Sequence, residues 1–250
     1  MKTIISRSND DIQFISTLHK EKNRLVNQLY IAEGIRTCKT LIDAGNVTKR
    51  IYVLEALVPE AQKLVDDQYI TIVTEPVMEK ISSTKTPSGL LGVFRMPPEP
   101  TLENVTSGLV LAQISDPGNM GTLIRSAAAM GCPTVVVIDG TDPWSPKVVQ
   151  SSAGAVGKVK IVQTTWETLV EHKGKYTLCA MVITEGKAPE HINFSNTLLV
   201  VGNEAHGIPE KWIKNCDSTV TIPMPGDMES LNAAVAGSIG LYLAFVQKRS

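Results

Sequence analysis

The sequence predicts an α/β protein whose carboxyl-terminal part is built on a parallel sheet. After residue 108 the predicted strands are apolar along their whole length, helical segments separate most of them, and their following loops hold glycine and polar residues. Strands that are buried on both faces and alternate with helices are typical of a parallel sheet covered on both sides. The predicted strands span residues 109–114, 134–138, 160–162, 177–182, 198–201 and 219–222.

The chain divides into two predicted domains. Residues 96–107 contain three prolines and no apolar periodicity, so we interpret them as a linker. The carboxyl-terminal domain then covers residues 108–250. Residues 1–95 form a smaller α/β domain, with helices predicted at 10–29 and 34–44 and strands at 51–54, 69–73 and 90–94.

Composition narrows the class of protein. The net charge of −1 and the pI of about 6.4 give no overall field that would attract nucleic acid, although the first 50 residues carry nine basic and five acidic side chains. The four cysteines are far apart and form no C-x-x-C pair, which favours reduced thiols in the cytoplasm and indicates no metal site. The apolar run 233–246 is too short to span a bilayer and predicts a buried helix.

The loop after the first carboxyl-terminal strand reads DPGNMGTLIRSAAAMG, residues 116–131. It lacks the glycine spacing of the known diphosphate-binding loops, and Arg125 lies one turn into the helix. A guanidinium there offers a rigid donor fork for a phosphate or carboxylate. A purely structural role, in which Arg125 pairs with a carboxylate at the edge of the core, would explain an arginine at this position equally well.

Two further junctions follow the same strand–loop–helix pattern. Residues 199–212 read LVVGNEAHGIPEKW and contain Glu204; residues 221–242 read TIPMPGDMESLNAAVAGSIGLY and contain Ser230. Taken singly, Ser230 could be a helix cap and Glu204 a solvated side chain. Together the three junctions place polar residues at the carboxyl ends of strands, where open α/β sheets bind ligands.

These three stretches resemble, in order and spacing, the three motifs of the SpoU (TrmH) branch of the SPOUT RNA methyltransferases. The motif residues are Asn119, Gly121 and Arg125 in the first stretch, Gly202, Glu204 and Gly207 in the second, and Ile222, Pro223, Met224, Ser230, Leu231 and Asn232 in the third. One departure is Ala234, where many members carry serine.

Two other stretches resemble the family more weakly. The segment YIAEGIRTCKTLIDAG is similar to the Glu-Gly segment of the family's substrate-binding domain, whose fold is like that of certain ribosomal RNA-binding proteins, and makes Glu33 a candidate RNA-binding residue. In DPWSPKVVQSSAGAVGK, Lys147 and Ser152 are expected to border the RNA site. A plain helix start would equally explain the segment that contains Glu33, and a surface loop would equally explain the segment that contains Lys147 and Ser152.

The resemblance implies methylation of a ribose 2′-hydroxyl in RNA with S-adenosyl-L-methionine as cofactor. It also implies a deep trefoil knot in the carboxyl-terminal domain, a rare exception among protein folds, and a homodimer. The expected cofactor-binding residues are Val201, Gly202, Gly207, Ile222, Met224 and Leu231. Glycine at positions 202 and 207 permits the close backbone approach that such a ligand needs.

The resemblance also assigns catalytic roles. We expect Arg125 to clamp an RNA phosphate and stabilise developing charge, because a guanidinium does not lose its proton at working pH and so cannot act as a base. Glu204 is expected to order Asn119 and Arg125. Ser230 and Asn232 are expected to hydrogen-bond the ribose or a neighbouring phosphate.

Two other functions fit the sequence less well. A nicotinamide-dependent oxidoreductase would share the sheet but requires a G-x-G-x-x-G loop, which is missing. A non-catalytic RNA-binding protein would keep the first domain and lose the polar motif residues, all five of which are present here. Within the family, the added amino-terminal domain and linker favour large-subunit (23S) ribosomal RNA over transfer RNA as substrate.

Overall fold

A computed structural model describes residues 1–247, which form two compact units. The amino-terminal unit contains residues 1–98 and 144–158, and the carboxyl-terminal unit contains residues 99–143 and the chain from 159 onward. The segment 144–158 therefore differs from the predicted division. Trp144 is buried in the amino-terminal unit, where its ring centroid lies 4.9 Å from that of Tyr30.

The amino-terminal unit is built on a mixed sheet with the strand order β1–β4–β3–β5–β2. Strands β1, β4 and β3 are parallel, and β5 runs antiparallel to both β3 and β2. Every residue of β2 is buried, which places this edge strand in the core. The strands are β1 (Lys2–Ile4), β2 (Leu29–Glu33), β3 (Thr48–Val53), β4 (Ile70–Val73) and β5 (Leu90–Arg95).

The helices of this unit correct one prediction. Residues 10–29 are not one helix, because α1 and α2 are separate and the chain then enters β2. Gln28, with a left-handed φ of 52°, ends α2. Leu25 and Val26, which extend the apolar pattern of α1, are exposed. Strand β1 is a further element that the sequence pattern does not predict. The helices are α1 (Asp10–Thr17), α2 (Glu21–Asn27), α3 (Ile35–Asp43), α4 (Val58–Gln62) and α5 (Glu75–Ile81).

The carboxyl-terminal unit contains a six-stranded sheet with the order β11–β9–β10–β6–β7–β8. All neighbouring strands are parallel, which confirms the predicted parallel sheet. Strands β6, β7 and β10 are buried at every position, as their continuous apolar sequences require. The strands are β6 (Gly108–Ala112), β7 (Thr134–Ile138), β8 (Lys160–Gln163), β9 (Thr177–Met181), β10 (Thr197–Val201) and β11 (Ser218–Val220).

Two helices position the loops at the carboxyl ends of these strands. Helix α6 begins at Pro117 and is capped by Asp116, whose carboxylate accepts the backbone N–H of Asn119 at 2.8 Å. Helix α10 packs against α6 and β10 through Gly237, where a Cβ would clash with Leu123. The helices are α6 (Pro117–Ala129), α7 (Pro146–Ser151, in the amino-terminal unit), α8 (Trp166–Glu171), α9 (Glu210–Ile213) and α10 (Ala233–Gln247).

The predicted buried helix at 233–246 is α10, and it is only half-buried. Ala234, Gly237 and Leu241 face the core, whereas Val235 and Tyr242 are exposed. Within residues 1–247, none of the helices combines the length and apolar character that a membrane span requires.

Candidate active site

The three polar loops lie at the carboxyl ends of β6, β10 and β11. Strands β6 and β10 are neighbours in the sheet, and the chain builds outward from β6 to β7 and β8 before it returns to β9 and β10. The crevice between β6 and β10 is therefore the point at which the strand order reverses. Parallel sheets bind their ligands outside the strand ends at such a point.

Glu204, in the loop after β10, joins this loop to the one after β6. Its carboxylate accepts the backbone N–H of Ser115 at 3.3 Å and that of Asp116 at 3.2 Å. It also accepts the Ser115 hydroxyl at 3.1 Å and the Asn119 side-chain amide at 3.0 Å. The side chain is solvent-exposed, yet four donors from the loop after β6 and the first turn of α6 fix its position.

These hydrogen bonds set the charge of Glu204. Partial desolvation by the neighbouring loop alone would raise the pKa of its carboxyl, but the hydrogen bonds from Asn119 and from the backbone around Ser115 and Asp116 outweigh it and hold the pKa below the usual glutamate value. Glu204 is therefore an anion at neutral pH. Its acceptor oxygens are occupied by the neighbouring loop.

Asn232 connects the third loop to the same network. Its Nδ2 donates to Oδ1 of Asn119 at 3.1 Å, while its own Oδ1 accepts the backbone N–H groups of Ala234 at 2.9 Å and Val235 at 3.2 Å. Asn232 is thus the cap of α10. Ser230 is exposed and makes no hydrogen bond within residues 1–247. A continuous path runs from Asn232 through Asn119 to Glu204.

Arg125 lies outside this path. It is exposed on α6, and no hydrogen bond or ion pair joins its guanidinium to any other described residue. The expected contact between Glu204 and Arg125 is therefore not seen, and neither is pairing with a core-edge carboxylate. The guanidinium remains available to a ligand.

Asn203 is a site residue that the sequence motifs do not single out. Its Nδ2 donates to the Gln113 carbonyl at 2.8 Å, and its Oδ1 accepts the backbone N–H groups of Ala205 at 2.9 Å and His206 at 3.1 Å. Its backbone exchanges two hydrogen bonds with Gly207. Asparagine in a loop commonly hydrogen-bonds the backbone two residues further on, and this turn signal could have indicated the role of Asn203.

A cavity of about 390 Å³ opens beside this network. All the predicted cofactor-binding residues line it: Val201, Gly202, Gly207, Ile222, Met224 and Leu231. A Cβ at Gly202 would lie 2.5 Å from the Ile208 nitrogen and 2.7 Å from the Gly207 carbonyl oxygen, so the loop closes only over glycine. Gly207 has a φ of +65°, which glycine adopts without strain. The volume falls in the usual range for small-ligand sites.

The predicted RNA-binding side chains occupy three different environments in the amino-terminal unit. Glu33 is buried, and its carboxylate accepts the hydroxyls of Ser82 at 2.8 Å and Thr84 at 2.9 Å and the Ser88 N–H at 3.1 Å. Ser152 is fully buried and donates to the Val149 carbonyl. Lys147 alone is exposed. Burial corrects the expectation of direct RNA contacts for Glu33 and Ser152: Glu33 holds the 82–88 loop, and Ser152 packs inside the unit.

The parallel sheet, the cavity beside its switch point and the fixed carboxylate–amide network define an α/β enzyme with a small-molecule site. Residues 107–242 match the SpoU rRNA Methylase family, and residues 9–92 match the MRM3-like substrate binding domain. The first match covers more than half of the chain. The chain belongs to the SpoU rRNA Methylase family, and the resemblance stated from its motifs is confirmed.

Two curated relatives are similar to most of this chain. The 23S rRNA (guanosine(2553)-2′-O)-methyltransferase RlmP of Bacillus subtilis (strain 168) is 29% identical over 97% of this chain and 98% of that protein. The 23S rRNA (guanosine-2′-O-)-methyltransferase RlmB of Acinetobacter baylyi is 33% identical over 68% of this chain and 75% of that protein.

Solved structures agree with this assignment. A crystal structure of an RNA 2′-O ribose methyltransferase is 29% identical, with a TM-score of 0.83 over 99% of this chain and 100% of that one. The SpoU methyltransferase AviRb of Streptomyces viridochromogenes, in complex with AdoMet, is 25% identical, with a TM-score of 0.82 over 97% and 99% of the two chains.

Proposed function

We propose that this protein methylates a ribose 2′-hydroxyl of large-subunit (23S) ribosomal RNA, with S-adenosyl-L-methionine as methyl donor. The observation that carries the proposal is the path from Glu204 through Asn119 to Asn232, which ties three motif loops together beside the cavity. The named relatives act on 23S ribosomal RNA, which supports this substrate.

The residues around the cavity suit the cofactor. Val201, Ile222 and Leu231 offer apolar surface to an adenine ring, and Gly202 permits contact with the backbone. When bound there, S-adenosylmethionine supplies a methyl group that its sulfonium already activates.

The protein's own contribution is positioning and charge. The amide of Asn119 is held from both sides, by Glu204 and by Asn232, so it presents a fixed orientation beside the cavity. Arg125 clamps a phosphate of the RNA and stabilises the oxygen anion that develops on the ribose. Ser230 is free to bind the ribose or a phosphate.

Neither charged motif residue suits the role of proton acceptor. A guanidinium stays protonated at working pH, and the acceptor oxygens of Glu204 already serve four donors from Ser115, Asp116 and Asn119. The proton of the 2′-hydroxyl therefore passes to water or to a phosphate of the substrate.

The amino-terminal unit reads the RNA in this proposal. Its match to a substrate-binding domain supports this role, and so does Lys147, which is exposed on α7. Glu33 acts indirectly, because it holds the loop that carries the exposed Lys85. Lys85 then offers a charge to the phosphate backbone.

Three further properties belong to the proposal. We infer a homodimer, because Val235 and Tyr242 leave an apolar strip exposed on α10. Sedimentation equilibrium of Val235→Asp should then show a shift towards monomer, whereas a monomeric, fully active wild type would contradict the dimer.

We also infer that the carboxyl-terminal unit has the trefoil knot of the family and that the protein is cytoplasmic. The free cysteines suit a cytoplasmic location.

Transfer of label tests the reaction and the substrate together. Purified protein and tritiated S-adenosylmethionine are incubated with total RNA from a host that lacks this gene, and the labelled nucleotide is mapped. Label on one ribose 2′-oxygen of 23S ribosomal RNA is expected, and Arg125→Ala serves as the control. Label on a base would refute ribose methylation. Label on transfer RNA would show that transfer RNA, and not 23S ribosomal RNA, is the substrate.

A further inference from the structure

The side chains that line the cavity are unbalanced in charge. Two of them are acidic, Glu204 and Glu229, and no lysine or arginine is present among the described lining residues. The two carboxylates give the cavity lining a negative charge. A site with acidic side chains and no basic partner favours a cationic ligand over a neutral one of the same shape.

The proposed cofactor and its product differ in this respect. S-adenosylmethionine carries a sulfonium in addition to its amino and carboxylate groups, so its net charge is positive. S-adenosylhomocysteine, the product that remains after the methyl group has moved to the ribose oxygen, has a neutral thioether and no net charge. The two molecules otherwise fill almost the same volume.

The two acidic side chains are not equivalent. Glu204 is engaged by Ser115, Asp116 and Asn119, so its carboxylate is committed to holding a loop. Glu229 is exposed and has no hydrogen bond or ion pair with any residue in the described part of the chain. Its charge is therefore available to a ligand.

The loop that carries Glu229 can also adjust. Across residues 222–231, no hydrogen bond ties backbone or side chain to the rest of residues 1–247. Asn232 then anchors the end of the loop to Asn119 and to α10. A segment held at its ends and not between them can bring a carboxylate towards a bound cation.

We propose that Glu229 makes the cavity selective for the cationic methyl donor over its neutral demethylated product, which limits product inhibition. The inference rests on the proposed function, because it takes S-adenosylmethionine as the ligand. It adds a residue that none of the three sequence motifs includes.

Isothermal titration with three ligands tests this at about pH 8, where histidine is neutral. The ligands are S-adenosylmethionine, S-adenosylhomocysteine and sinefungin, in which a protonated amine replaces the sulfonium. For Glu229→Gln, loss of one nearby charge should weaken the two cationic ligands about three- to tenfold. Binding of the neutral product should change by less than about twofold, since no charge pair is lost.

Matched variants separate charge from structure. Asp227→Asn removes the same charge from the same loop at a residue that does not line the cavity, and should change the selectivity by less than about twofold. Glu229→Asp keeps the charge and should retain the preference for cations. The preference should also shrink in about 0.5 M salt, where screening is stronger.

The outcomes distinguish the two proposals. If the wild type binds none of the three ligands, the proposed function fails. If the wild type binds them and Glu229→Gln weakens all three equally, or weakens none, the role of Glu229 is refuted and the cofactor assignment stands. Equal selectivity changes in Asp227→Asn would likewise overturn the assignment to Glu229.

Discussion

The side-chain amide of Asn119 donates to the carboxylate of Glu204 at 3.0 Å, across 85 positions of sequence. On its other side the same amide accepts from Asn232 at 3.1 Å. The donors and acceptors thereby fix which way the Asn119 amide points. The three loops are joined by side chains and not only by the sheet beneath them. A substitution in one loop should therefore alter the structure of the other two.

Glu204→Gln should lower stability in a pH-dependent way. The folded-state pKa of Glu204 lies below its ordinary value of about 4.5, so its contribution is fully present above that value and is lost as the pH falls through the folded-state pKa. The melting temperature of the wild type should exceed that of the variant at pH 7, and the two should converge in acid. A difference that persists unchanged at about pH 2, below the reference pKa of glutamate, would contradict this role.

Gly202→Ala should destabilise the cofactor loop. The added Cβ would meet the backbone of Gly207 and Ile208, which cannot move as a flexible side chain would, and overpacking of this kind costs about 1–3 kcal/mol. Gly226→Ala is the control, because a Cβ added at that residue would have no neighbour within 4 Å and its φ is not positive. Gly202→Ala should have a lower melting temperature than Gly226→Ala and should bind S-adenosylhomocysteine more weakly in a titration. Equal behaviour would show that the loop tolerates a side chain at residue 202.

Leu231→Arg should abolish cofactor binding without unfolding the chain. Leu231 lines the cavity, so the substitution places a guanidinium in the apolar wall expected around the adenine ring. Met228→Arg introduces the same group three residues earlier, at a side chain that is 73% exposed and outside the cavity lining. Titration should show loss of affinity in the first variant alone. Unchanged affinity in a folded Leu231→Arg protein would rule out this loop as a cofactor site.

The carboxyl-terminal sheet could be predicted from the sequence because its strands are apolar on both faces and helices separate them along the chain. The motif residues were found through their resemblance to a family, which also implied that Glu204 orders Asn119. The resemblance did not imply the hydrogen bond from Asn232 to Asn119. Asn119 and Glu204 are 85 positions apart, and only the order of β6 and β10 in the sheet brings them together. In the amino-terminal unit, the exposed Leu25 and Val26 continue the apolar pattern of a helix. The sequence therefore predicts one helix up to residue 29, where β2 begins.

A chain that begins at Ser107 tests the division into units. A linker at 96–107 alone would predict that such a fragment folds. However, Trp144, Val148 and Val156 are buried in the amino-terminal unit, so its removal leaves apolar side chains without their partners. We expect the fragment to aggregate or to melt well below the full chain. A version that replaces these three residues with serine should recover solubility; a soluble, equally stable unmodified fragment would contradict the expectation.

The role of Arg125 is tested by two substitutions with different expected results. The residue is exposed and unpaired among residues 1–247, so neither Arg125→Ala nor Arg125→Lys should change stability by more than about 0.5 kcal/mol. Neither should change cofactor affinity, because Arg125 does not line the cavity. Turnover should differ: loss of one preorganised donor in Arg125→Ala should reduce the rate about 10²- to 10³-fold.

Arg125→Lys keeps the charge and loses the planar fork, so it should retain activity well above that of Arg125→Ala. A general base would behave differently, because lysine, with a reference pKa near 10.4, gives up its proton more readily as the pH rises. Single-turnover rates of both variants from about pH 7 to 10 separate the two roles. A clamp predicts that Arg125→Lys stays below the wild type across this range. If Arg125→Lys instead climbs to the wild-type rate at high pH while Arg125→Ala stays inactive, Arg125 is the base and the phosphate clamp is refuted.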